Sequence, residues 1–117
     1  MIFTPDHLHA TYDFMRHFKP FCRWKLPPGD EIAFKLTLEQ KTSGYCQPDR
    51  DQHWIAVSHK CAGTIYTLQR IMGHEMIHLK QMLAKTETNG AEHNAEFREL
   101  AKNVCREWNW DVLDFYF

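Results

Sequence analysis

The chain has 117 residues and a formal net charge of -1 at pH 7, with 44% hydrophobic, 25% charged and 14% aromatic residues. That is one domain's worth of chain, long enough to bury a core without disulfides. The near-neutral balance excludes a uniformly basic nucleic-acid-binding surface, and no apolar run approaches membrane-spanning length.

The first predicted element is a helix. Thr4 is a suitable cap and Pro5 a suitable first helical residue, and Leu8, Tyr12, Met15 and Phe18 recur at helical spacing until Pro20. Leu26-Pro27-Pro28-Gly29-Asp30 is turn composition. Ile32, Phe34, Leu36 and Leu38 then alternate with other residues, which predicts a strand with one buried face. Ser43-Gly44 signals a turn, Tyr45-Cys46 a short second strand, Pro48 to Asp51 a polar break, and Trp54 to Ser58 a third strand.

A long helix is expected from Gly63 or Thr64, with Ile65, Leu68, Met72, Met76, Leu79 and Leu83 as its core stripe, ending before the loop composition of Thr86 to Gly90. A last helix starts at the cap Asn94 and carries Phe97, Leu100, Ala101, Val104, Cys105 and Trp108 on one side. The tail from Asp111 to Phe117 is apolar enough to cover part of the core. Helices and strands are segregated along the chain, which predicts an α+β domain spanning 1–117: N-terminal helix, short three-stranded sheet, long helix, C-terminal helix.

The long helix contains Gly73-His74-Glu75-Met76-Ile77-His78. One helical turn separates His74 from His78, so both imidazoles project from one face, beside the core stripe, and can reach one metal ion. A catalytic zinc site takes three protein ligands and keeps one position for water. Three residues are candidates for the third ligand. His93 ranks first, because it precedes a helix that a short loop can fold back over the first. Glu96, one turn into that helix, is second, and Cys46 third. Zinc (Zn2+, one ion) brings the pKa of its water toward ~7, and Glu75 is placed to take that water's proton and pass it to a leaving amine.

His74-Glu75-Met76-Ile77-His78 followed by His93-Asn94-Ala95-Glu96-Phe97 resembles the SprT-like, Spartan-related zinc metallopeptidases. Weaker likenesses run through Leu26-Pro27, Gly44-Tyr45-Cys46 and Ile55 to Ser58. The resemblance implies a small zincin-like domain, with His74, His78 and His93 as zinc ligands and Glu75 as catalytic base. It implies an endopeptidase acting on extended or unfolded polypeptide, with DNA-bound proteins as one substrate class. The strand around Ile55 to Ser58 would border the substrate groove, where a peptide adds as a further strand. Asn94 stands where the family usually has glycine, and no C-terminal zinc ribbon is seen. The alternative is a metal-binding module without protease activity that docks on DNA or on a replication or transcription partner.

Arg16, Lys19, Arg23 and Lys25 interleave with Phe18, Phe21 and Trp24. That pattern suits weak contact with single-stranded nucleic acid, although core aromatics ringed by solvated charges explain it better. His53 and His59 flank the third strand and, with Tyr45 and Tyr66, are candidate oxyanion donors. His7, His9 and His17 are expected at the surface. The four cysteines form no C-x-x-C pair and the N-terminus has no leader pattern, so reduced thiols and a cytoplasmic location are expected, with no membrane partner.

Overall fold

A computed structural model describes residues 3–38, 44–47, 52–88 and 93–115. The expected turns at Ser43, Pro48 to Asp51 and Asn89-Gly90, and the end of the tail at Tyr116-Phe117, lie outside the described residues. The elements are α1 (Pro5–Arg16), β1 (Ile32–Thr37), β2 (Gly44–Gln47), β3 (His53–Ser58), α2 (Ile65–Ala84), α3 (Ala95–Trp108) and α4 (Val112–Phe115).

Helix α1 starts where its cap dictates. The Thr4 hydroxyl accepts from the His7 amide, and the His7 ring returns the contact to the Thr4 amide at 2.9 Å. Leu8, Tyr12 and Met15 face inward, and the Tyr12 hydroxyl donates to the Pro27 carbonyl at 2.6 Å. Phe18 departs from the expected stripe. The helix stops at Arg16, so Phe18 loses the helical phase and is 49% exposed, packed on Phe14 and Trp108.

In the sheet, β3 lies between β1 and β2, parallel to β1 and antiparallel to β2. This corrects one expectation. The backbone of β3 is paired with β1 from Ile32 to Thr37 on one side and with β2 from Gly44 to Gln47 on the other, so it cannot accept a peptide as a further strand. Its central position also explains why Ile55, Ala56, Val57 and Ser58 are all buried without alternation. In β1 the alternation is weak: only Ile32 is fully buried, and Leu38 falls past the strand end and is exposed.

Helix α2 is the hub. It packs against β2, β3, α1, α3 and α4. Consequently the run from Ile71 to Ile77 is buried on every face, including His74 and Glu75. The expected placement of the two histidines beside the core stripe holds in part: His74 is buried with the stripe, and His78 is half-buried. The stripe frays at its ends, where Ile65 and Leu83 are exposed. Gly73 permits this crowding: a Cβ there would lie 3.3 Å from Met15 Cε, 3.4 Å from Phe21 Cζ and 3.5 Å from Phe115 Cε2. Lys85 ends α2 in the left-handed region, and the Thr86 amide donates back to the Gln81 carbonyl at 3.0 Å.

The tail divides. Phe115 is fully buried and stacks on Trp110 at 6.0 Å, whereas Leu113 is 83% exposed.

Candidate metal centre

Three histidines from two helices converge. The ligand nitrogens of His74, His78 and His93 all lie within 4.8 Å of one another. His74 and His78 come from consecutive turns of α2, with ring centroids 5.0 Å apart. His93 immediately precedes the Asn94 cap of α3 and comes in from the other side, 4.8 Å and 5.3 Å from the His74 and His78 rings. The Phe97 ring backs all three, and it stacks on His93 at 4.2 Å with a 12° interplanar angle.

The donor chemistry fits a metal. His74 Nδ1 lies 3.3 Å from the Phe115 carbonyl oxygen. A carbonyl only accepts, so the ring proton sits on Nδ1 and the Nε2 lone pair is left for another partner. That Nε2 lies 3.1 Å from His93 Nε2. Two nitrogens bound to one tetrahedral zinc at ~2.0–2.1 Å would be about 3.3–3.4 Å apart. Burial pushes the His74 imidazole down to about 3, helped by the neighbouring His78 and His93. It is therefore neutral at physiological pH, as a metal ligand must be. The three histidines could hold a metal ion.

His93 is held through its neighbours. The Asn94 side chain caps α3 by accepting from the Phe97 amide at 2.9 Å, and its amide group donates to the Thr86 carbonyl and the Thr88 hydroxyl, each at 3.0 Å. Gln81, only 1% exposed, donates from Nε2 to Asn94 Oδ1 and to Glu96 Oε1, each at 2.9 Å. Arg98 donates to the His93 carbonyl at 2.9 Å. The start of α3, immediately after His93, is thus tied to the last turns of α2.

The other candidate ligands are engaged elsewhere. Glu96 accepts from Thr86 and Gln81, and those two bonds hold its carboxyl below the usual range. Cys46 donates to the Met82 sulfur at 3.7 Å. Burial raises its thiol pKa, and the charges of Glu75 and Glu87 raise it further, so it remains a thiol. Glu75 is 3% exposed, next to His74 on α2 and within electrostatic reach of Cys46 on β2.

The group that could hold a metal does not include His53 or His59. His59 Nδ1 is 3.3 Å from the Thr37 carbonyl, and His53 opens β3. Tyr66 is exposed at the start of α2, with the Arg70 guanidinium 4.4 Å above its ring. The Tyr45 side chain lies outside the described residues. Lys19, Arg23 and Lys25 are exposed, while Arg16 pairs with Asp13 at 3.3 Å. Of the aromatics among them, Phe21 is core and Trp24 is half-buried.

Sequence reading misses Gln81 and Phe115. Gln81 carries a signal, a polar residue in the buried part of a helix. Phe115 meets His74 through its backbone carbonyl, which no residue type announces. All four cysteines are free thiols, and no helix among the described residues is long and apolar enough to cross a membrane.

The sequence profile of the SprT-like family matches residues 11–112. No curated protein and no solved structure matches the chain.

Proposed function

The chain belongs to the SprT-like family, which is associated with metallopeptidase-like domains, and on that premise we propose that it is a zinc-dependent endopeptidase with a zincin-like site. The observation that carries the reading is the convergence of His74, His78 and His93, with an acid at position 75 of the same helix turn. A zinc ion held by these three histidines would supply Lewis acidity at neutral pH.

The chain's own residues supply the rest. His74, His78 and His93 act as ligands, each offering one ring nitrogen. Glu75 acts as general base, taking a proton from the attacking water onto its carboxylate and returning it to the leaving amine. The substrate is an extended or unfolded polypeptide. With β3 paired on both sides, β1 and β2 are the edges of the described sheet, and the strand to which such a peptide adds is β2, the edge packed against α2.

The test is cleavage of an unfolded polypeptide by the zinc-loaded protein, in parallel with Glu75→Gln. Cleavage that is stopped by a chelator, restored by zinc and lost in Glu75→Gln supports the reading. Equal cleavage by wild type and Glu75→Gln removes Glu75 from the mechanism.

A further inference from the structure

We propose that the backbone carbonyl of Phe115 is a positioning group for the metal centre. It fixes the tautomer and ring orientation of His74, which makes the C-terminal turn a working part of the site. The proposal rests on the metal-site reading above and extends it to residues past the family match, which ends at residue 112.

The contact spans 41 residues of sequence, from α2 to the last described residue. By accepting from Nδ1–H, the Phe115 oxygen commits the ring proton and leaves Nε2 as the lone pair, facing His93 Nε2 at 3.1 Å. Metal-ligating histidines generally donate their second nitrogen to such an acceptor, and loss of that acceptor weakens metal binding.

A four-residue helix cannot hold a carbonyl in place alone, and α4 is braced from several directions. The Leu113 amide donates to the Asp111 carboxylate at 2.9 Å, and the Asp114 amide donates to the Asp111 carbonyl at 3.1 Å. From α2, one turn before His74, Arg70 Nη1 donates to the Asp114 carbonyl at 3.1 Å. The Phe115 ring is buried against Gly73, the residue before His74. The same helix therefore holds two successive carbonyls of the tail, Asp114 by Arg70 and Phe115 by His74. A ring that only filled the core would require neither.

The test changes the acceptor and no side chain. Incorporating the α-hydroxy acid counterpart of tyrosine at position 116 converts the amide after Phe115 into an ester, whose carbonyl is a weaker acceptor. Imidazole nitrogen shifts of His74 are recorded in the metal-free protein, and zinc affinity is measured by chelator competition. Wild type should show the Nδ1–H tautomer. The ester should show a mixture of tautomers and bind zinc about 3–10-fold more weakly, part of the ~10–100-fold typical of losing such a partner. Leu113→Ala changes an 83% exposed side chain in the same turn and keeps every backbone group, so it should keep the wild-type tautomer and a zinc affinity within about twofold. A wild type that binds zinc, with an ester variant unchanged in tautomer and affinity, overturns the proposal and leaves the metal site standing. A wild type that binds no zinc overturns both.

Discussion

Replacing Gln81 by leucine should weaken the metal site without removing any ligand. Gln81 is buried at 1% exposure, and its side-chain amide donates to Asn94 and Glu96 at 2.9 Å each. Leucine has nearly the same size, so no large cavity forms. Neither acceptor is orphaned: Asn94 Oδ1 still receives the Phe97 amide, and Glu96 keeps Thr86 and solvent. The loss is then one neutral bond at ~1 kcal/mol and one bond to a carboxylate at ~1.5–3 kcal/mol, partly offset by burying an apolar group instead of an amide. We expect the metal-free protein to lose about 1–3 kcal/mol of stability in urea unfolding. Because those bonds fix the residue that follows His93, zinc affinity should also fall by about 10-fold or more. Chelator competition at pH 7 reads the second effect. A Gln81→Leu protein that binds zinc within twofold of wild type would refute the idea that this network places His93.

Three further outcomes are expected. Glu75→Gln should retain zinc and lower peptide cleavage by roughly 10²–10⁴-fold, the usual contribution of a general base, read by gel assay on an unfolded substrate. Glu96→Ala should cost some stability at the α2–α3 junction but keep stoichiometric zinc by elemental analysis; loss of the metal in that variant would restore Glu96 as a ligand. The metal-free protein should lose stability on acidification. The folded His74 is held at about 3, against ~6.5 unfolded, so between those values the unfolded chain binds a proton that the folded chain refuses. Stability is therefore full above pH ~6.5 and falls by about 1.4 kcal/mol per pH unit below it, or ~2 kcal/mol by pH 5. Urea midpoints from pH 7 to 5 measure this, and a slope unchanged by His74→Asn would count against it.

The helices were legible because local signals agreed with the packing. Thr4 and Asn94 cap as their side chains allow, and Thr86 lies just past the end of α2. The convergence of three histidines was legible from a one-turn spacing followed by a histidine at a helix entry. The errors came from tertiary context. Phe18 and Leu38 continue a period past the end of the element that gave it meaning. The Ile55 to Ser58 strand has the letters of a groove edge, but pairing on both sides makes it central, and pairing is not written in one strand's sequence. The burial of His74 on every side depends on a tail 41 residues away, and a carbonyl carries no sequence signature.

The most direct measurement of the central claim is metal content by elemental analysis, on wild type and His93→Ala prepared side by side with zinc supplied. The account predicts one zinc per chain in wild type and loss of it in His93→Ala. No zinc in wild type, or undiminished zinc in His93→Ala, would contradict a metal centre built from His74, His78 and His93.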